Sequence, residues 1–335
     1  MCRWFPWLRK KKTMSTSVQL LGLSNAIVDI LAHVDDAFLT RVGAPRGSMT
    51  LIDADQARNL YDQMGPATEM SGGSVGNSIA GFANLGGTAA YIGRVAADQL
   101  GAIFAHDMKS LGVEMRLPPE TRQAPTARSH VLISPDGQRT MQTYLGACTE
   151  IAPKDISATT IGRPEIILIE GYIWDTPHGP EVTQRAMDLA HRAGARVALS
   201  LSDDQCVIRH HEAFTDAIGK RVEIVFANEA EITTLLGTDN FDEAVTRAAE
   251  SNVLYALTRS EKGSVVVQGS QMHAEPAETV ETVVDSTGAG DAYTAGFLYG
   301  LSRHEPLADC AKLGTRCAAT VIQQVGARIE KGALA

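Results

Sequence analysis

A chain of 335 residues, 44% hydrophobic and 21% charged, has room for one large α/β domain with an accessory element and a sizeable core. Its formal net charge of −9 argues against nucleic acid as a partner, since a phosphate backbone calls for basic patches, and leaves a free nucleotide open. No apolar run approaches the ~20 residues that cross a bilayer, so no membrane partner is expected. Five scattered cysteines without a Cys-x-x-Cys pair speak against a zinc site and a secreted disulfide framework, and for a reducing, cytoplasmic setting.

Residues 1–13 set Trp4, Phe5 and Trp7 beside Arg9-Lys10-Lys11-Lys12, with no apolar core of signal-peptide length. Residues 1–17 read as a disordered extension, and Met14 competes with Met1 as the start. Residues 18–23 read as a buried strand and 26–34 as a second, alternating one, the two opening the main sheet. Residues 47–52 form a short half-exposed strand within a turn-rich segment, and residues 71–85 a Gly/Ser turn running into a helix. A strand at 89–93 precedes a helix over 98–111 that Gly112 stops. Residues 127–133 and 139–144, around Ser134-Pro135-Asp136-Gly137, carry a hairpin signal. With 47–52 the hairpin is expected to build a small sheet, from about 35–62 and 115–147, covering a cleft in a domain over 18–335. Beyond residue 150 strands and helices alternate, which implies a largely parallel sheet covered on both faces.

The motif with most chemistry is Asp285-Ser286-Thr287-Gly288-Ala289-Gly290-Asp291, followed by an apolar helical run. Its glycines let the amides of residues 288–291 converge, and the helix after them aims its positive end at the same point. An anion there would lie beside Asp291, although Asp291 as a plain helix cap is the competing account. Ligand crevices of open α/β sheets lie beyond the carboxyl ends of strands, which draws attention to Asn25 and Asp29 after the first strand. Ser71-Gly72-Gly73-Ser74-Val75-Gly76-Asn77-Ser78 is a second glycine turn before a helix. It also matches the Gly-x-Ser-x-Gly elbow of serine α/β-hydrolases, but residues 65–70 make a poor strand and no His-Gly-Gly run offers an oxyanion hole.

Asn228 and Glu231 share a helical face suited to hydrated Mg²⁺, and equally to a capping box. The turn Thr258-Arg259-Ser260-Glu261-Lys262-Gly263 is either a hairpin or a phosphate contact made by Thr258 or Arg259. Tyr172 and Trp174 follow a strand and either stack on a base or join the core. His210 and His211, being adjacent, point apart as surface residues.

In this order, from Gly22 to about Gly326, the motifs resemble those of the ribokinase-like (PfkB) carbohydrate and nucleoside kinases. The heptapeptide is similar to the family's second signature, with Ser286 in place of threonine. Asn25-Ala26-Ile27-Val28-Asp29 and the Gly72-Gly73 turn resemble adenosine kinases most, with Val75 where a small residue is usual. Ser260 stands where glycine is usual, and Ser202-Asp203-Asp204-Gln205 departs from the Ser-x-Pro-Phe of adenosine kinases. The resemblance implies a three-layer α/β/α domain with a central, largely parallel sheet and a small β-sheet lid. It implies ATP-dependent phosphorylation of the 5′-hydroxyl of a ribonucleoside, adenosine first, with a kinase of ribose, fructose or a related sugar as the alternative.

By the same resemblance Asp291 is the catalytic base, and the amides of Gly288, Ala289 and Gly290 stabilise the transferring group. Asn25, Asp29, Gly72, Gly73 and Asn77 bind the acceptor. Arg139 on the hairpin either covers the transferred phosphate from the lid side or is an exposed strand arginine. Asn228, Thr258, Arg259, Gly263, Gly288 and Gly290 bind ATP. Asn228 and Glu231 hold Mg²⁺ through water, and a monovalent cation is a further cofactor the family permits. The expected partners are ATP and a small nucleoside or sugar, in a monomer or homodimer.

Overall fold

The computed structural model describes residues 17–121 and 123–334, so the basic-aromatic start and the choice between Met1 and Met14 lie outside the described residues. In chain order the first strands are β1 (Val18–Leu23), β2 (Ile27–His33), β3 (Met49–Leu51), β4 (Thr68–Ser71), β5 (Ala89–Ile92), β6 (Glu114–Met115) and β7 (Ala127–Ile133). There follow β8 (Arg139–Tyr144), β9 (Pro164–Glu170), β10 (Arg196–Ser200), β11 (Ile224–Asn228), β12 (Leu254–Thr258), β13 (Ser264–Gln268) and β14 (Gln271–Glu275).

Nine of them form one sheet in the order β14-β13-β12-β11-β10-β9-β1-β5-β6. All neighbours from β12 to β6 run parallel, and only β13 and β14 are antiparallel. The central strands read as apolar runs because helices cover both faces. Helices Gly179–Arg192, Asp204–Ala217, Glu229–Leu236 and Phe241–Ala248 close one face around Met187, Phe214, Ile232 and Phe241. Helices Ser74–Asn84, Gln99–Ser110, Ala289–Ser302 and Leu307–Val321 close the other around Phe82, Phe104, Phe297 and Ala311. The result is the expected three-layer α/β/α arrangement.

A second sheet of five strands stands apart in the order β3-β8-β7-β2-β4. Its placement of β2 corrects the sequence reading, which put this strand in the main sheet. The chain leaves β1 through Ser24-Asn25-Ala26, and β2 pairs in parallel with all seven residues of β7. The alternation that identifies β2 as a strand, with Val28 and Ile30 buried and Ile27 and Asp29 half-buried, suits a sheet with one open face. A second correction concerns the segment before the Gly72-Gly73 turn. Thr68–Ser71 is a strand after all, a short polar edge held antiparallel to β2, as edges that resist aggregation tend to be.

Candidate active site

Neighbouring β1 and β9 hand the chain to opposite sides of the main sheet, β1 eventually to β5 and β9 to β10. Their carboxyl ends therefore diverge and leave a crevice, the usual ligand position in an open α/β sheet. Glu170 ends β9 and Asn25 follows β1, and both face this crevice. A cavity of about 460 Å³ opens there, roofed from the second sheet by Ile27, Asp29, Met49, Ser129, Met141 and Thr143. A smaller space of about 90 Å³ shares Asn228, Glu231, Gly290 and Asp291 with it and extends to Thr258.

Asp291 lies in the first turn of the Ala289–Ser302 helix, and the chain enters that helix through Gly288 at φ +76°. A Cβ on Gly288 would stand 2.4 Å from that of Ala327, so both the backbone angle and the space demand glycine. The Asp291 carboxylate accepts from Ser74 Oγ at 2.7 Å and from Asn77 Nδ2 at 3.1 Å. Burial pushes its carboxyl up to about 6, while these two donors and Arg328 pull it back. Asp29, reaching in from β2, is pushed up to about 7 by burial, against the pull of Arg328 and Arg139 and with a further push from Asp291.

The turn that returns the chain from the second sheet to the main domain is shaped around Asp29. A Cβ on Gly72 would meet the Asp29 carboxylate, and Gly73, at φ +81°, would bring one to 2.7 Å from the Asn25 carbonyl oxygen. Gly72 thus acts by leaving room rather than by lining the cavity, whereas Gly73, Asn25, Asn77 and Asp29 line it. Asn25 Oδ1 is buried without a donor.

On the other flank Asn228 caps the Glu229–Leu236 helix, accepting from Glu231 N at 2.9 Å while its Nδ2 donates to Glu231 Oε1 at 2.6 Å. The capping box is therefore real, and it also fixes two oxygen-bearing side chains on the cavity wall. Burial pushes the Glu231 carboxyl up to about 7, and the charged side chains acting on it are Asp203, Asp204 and Asp291, all acidic. A hydrated divalent cation fits such a donor set.

Two arginines are placed differently from the sequence expectation. Arg139 pairs with Asp285 at the back of the glycine turn and does not line the large cavity, because β8 begins against that turn. Arg259 is held by Glu229 at 3.0 Å and stacks 3.9 Å over the Phe241 ring, away from the cavity. In the same turn Ser260 takes φ +51°, which explains the glycine preferred there. Gly263 is fixed by the Glu275 carbonyl, 2.1 Å from where a Cβ would sit, and contributes turn geometry rather than cavity wall. Tyr172 lines the cavity and donates to Asp203 at 2.6 Å, whereas Trp174 packs edge-on to Phe214 in the core.

His210 is not the surface residue expected. It interrupts its helix at φ −118°, ψ 21° and bonds Asp175 at 2.7 Å. Together with Cys206 these groups have metal-like spacing, but Arg209 already grips both Asp175 oxygens.

A hydrolase reading finds no support once Ser74 is placed. Its hydroxyl serves Asp291, and no histidine lines the cavity among the described residues. Two residues escaped the sequence reading. Glu170 ends an apolar strand, a position that could have marked it, and accepts from Ser24 Oγ and from Val75 N at 3.2 Å. Burial pushes its carboxyl up to about 7. Arg328 donates to Asn77 Oδ1 at 3.1 Å and to Ser71 Oγ at 2.6 Å, and nothing in its local sequence signals this.

A model of the pfkB family carbohydrate kinases matches residues 48–331. The chain belongs to the PfkB kinase family. This kinase is similar to the solved adenosine kinase of Sinorhizobium meliloti, with 46% identity, a TM-score of 0.88 and coverage of 93% of this chain and 96% of that one. It is similar to nearly the same degree to a probable sugar kinase of Rhizobium etli CFN 42, with 45% identity, a TM-score of 0.87 and coverage of 93% and 94%. Adenosine kinase 2 of Arabidopsis thaliana is 26% identical over 334 residues, covering 92% of the PfkB chain and 94% of its own. The fold is the ribokinase-like one, and the protein is a kinase of the carbohydrate and nucleoside type.

Proposed function

We propose that this kinase transfers the γ-phosphoryl group of ATP to the 5′-hydroxyl of a ribonucleoside, adenosine first. The observation that carries the reading is the cavity wall itself. Asp29, Asn25 Oδ1, Glu170 and Asp291 are acceptors around one space, so the ligand they favour brings several hydroxyl donors. Ile27, Met49, Leu51, Met141 and Leu145 add an apolar wall beyond what a free sugar would cover, and it suits a flat base beside Tyr172. A nucleoside joins both requirements in one molecule.

In this reading Asp291 Oδ takes the proton of the acceptor hydroxyl as that oxygen bonds the γ-phosphorus and the bond to ADP breaks. A carboxyl at about 6 is mostly ionised at neutral pH and basic enough to accept a proton as the transition state forms. The amides of Gly288, Ala289 and Gly290 would stabilise charge on the transferring group, with the positive end of the helix behind them. Kinases of this family use ATP with Mg²⁺. When bound, the ion offsets phosphate charge, and Asn228 and Glu231 would hold it through water. Asn228 and Thr258 take the nucleotide side, while Arg259 and Gly263 shape the turn. The second sheet would close over the acceptor as a lid about the crossings at Asn25 and Gly73, excluding water from the transfer.

The sugar-kinase alternative rests on the Rhizobium etli relative and on the segment Ser202-Asp203-Asp204-Gln205, of which Ser202 lines the cavity. ADP release with adenosine, other nucleosides, ribose, fructose and fructose phosphate separates the two readings. Adenosine is expected to exceed every free sugar in kcat/KM by at least about tenfold. Turnover confined to sugars would leave the kinase and overturn the nucleoside.

A further inference from the structure

Arg328 lies beyond the last helix, in a stretch that the transfer chemistry does not draw on, yet its guanidinium reaches Asn77 behind Asp291. It bridges three elements: its own C-terminal stretch, the end of β4 through Ser71 Oγ at 2.6 Å, and the Ser74–Asn84 helix through Asn77 Oδ1 at 3.1 Å. Ser71 is itself held by Asp107 at 3.0 Å, so the anchor does not depend on solvent.

We propose that Arg328 is the positioning residue of the acceptor side: it fixes the Asn77 amide, and through that amide the Asp291 carboxylate, while tying both to the second sheet at Ser71. The inference rests on Asp291 being the base.

An asparagine can present either its oxygen or its NH₂ to a neighbour, and the two ends differ little in shape. Arg328 Nε carries only hydrogen, so it selects Oδ1 of Asn77, and Nδ2 is then obliged to face Asp291 Oδ2 at 3.1 Å. An ionised Asp291 only accepts, so both neighbours impose one orientation; without Arg328 the Asn77 oxygen loses its donor and the amide is held at one end only. The second effect is electrostatic. The charged groups acting on or from Asp291 are Asp29 on β2, Glu170 at the end of β9, Glu231 on its helix and Arg328. Three of these are acidic, and Arg328 is the cation among them. Its charge also acts on Asp29, which Arg139 reaches as well. Removing Arg328 therefore leaves Asp291 with Ser74 and a less firmly held Asn77, inside an acidic surrounding.

The test uses the full chain with Arg328→Met and Arg328→Lys, measuring kcat and KM across the pH range, with thermal unfolding as a check on folding. In Arg328→Met the acidic limb of kcat is expected to move up by about one pH unit, so that the loss is roughly tenfold larger below pH 6 than at pH 8. Arg328→Lys keeps the charge and is expected to return the limb towards the parent position. Its kcat should stay several-fold low, because one ammonium group does not serve Ser71 and Asn77 in the same fork geometry. A limb in Arg328→Met that coincides with the parent's overturns the proposal, since a merely structural role would lower activity evenly across pH. If Arg328→Met does not fold, Arg328→Lys decides, and parent values of both kcat and limb overturn it. Asp291→Asn measured in parallel separates the two claims. Full activity there removes the base assignment, whereas an inactive Asp291→Asn with an unmoved limb in Arg328→Met removes only Arg328.

Discussion

A Cβ placed on Gly72 would stand 2.1 Å from a carboxylate oxygen of Asp29. The strand that carries Asp29 and the turn that returns the chain to the main domain therefore meet at a point where no side chain fits. Gly72→Ala forces the carboxylate aside, and under the acceptor-binding role proposed for Asp29 this raises KM for the acceptor more than it lowers kcat. An increase of about tenfold or more is expected, from the loss of a charge-assisted hydrogen bond. Gly65→Ala, where nothing lies within 4 Å of the added Cβ, is the control and should leave KM unchanged. Steady-state kinetics on the pair checks the claim, and equal KM values would contradict it.

Stability should depend on pH in an unusual direction. Asp29, Glu170 and Glu231 are pushed up to about 7 and Asp291 to about 6, in each case chiefly by burial. A carboxyl whose folded pKa exceeds its unfolded value binds more protons in the folded state. Its contribution is complete below the unfolded value and is lost as pH rises through the folded one. The ligand-free protein is therefore expected to gain several degrees in Tm as pH falls from about 8 to about 5, before other carboxylates protonate. Differential scanning calorimetry with and without Mg-ATP measures this, and a Tm that falls steadily below pH 8 would refute it.

Glu231→Gln removes a buried carboxylate whose charged surroundings are acidic; its amide oxygen can keep the capping bond from Asn228 N, and only the bond from Asn228 Nδ2 is given up. The ligand-free variant should melt higher than the parent at pH 8. Its Mg²⁺ requirement should rise by about tenfold, as expected when an outer-shell partner of a bound ion is lost. Magnesium titrations of ADP release at fixed ATP provide the check, and an unchanged requirement would take Glu231 out of the metal site.

Arg139 and Asp285 are both nearly buried, and Asp285 also accepts from Thr287 N and Gly326 N at 3.0 Å each. Arg139→Met strands the carboxylate with backbone donors only, at a cost of about 3 kcal/mol by analogy with broken buried pairs. Asp285→Asn in that background should recover a substantial part of it, which a double-mutant cycle in urea resolves. Additive effects would mean that the pair carries no coupling between the second sheet and the glycine turn.

Much of the architecture was legible because its signals are local. The apolar runs at 166–169 and 224–227 and the hairpin around Pro135 carry their own periodicity, and the structure places strands at each. The second sheet was less legible, because β2 announces a one-faced strand by alternation but not which sheet it joins. That partner, β7, lies about a hundred residues further on, where pairing is decided by packing. The same distinction runs through the site. Asp291, Asp29, Asn77 and Asn228 stand in or beside turns with recognisable residue patterns, and the structure gathers them around one cavity. Glu170 and Arg328 have no turn to mark them and enter only through contacts across more than ninety residues of sequence. Arg139 and Arg259 show the converse. Their positions near the motifs were readable, but not that Asp285, Glu229 and Phe241 would capture their guanidinium groups.

Whether Asp291 accepts the proton from the acceptor hydroxyl is read most directly from the single-turnover rate of ADP formation by Asp291→Asn with saturating adenosine and Mg-ATP. Asparagine keeps the size of the side chain and can still meet Ser74 and Asn77, so binding of both ligands should persist. The rate is expected to fall by about 10² to 10⁴, the usual effect of removing a general base. A rate equal to that of the parent would contradict the account.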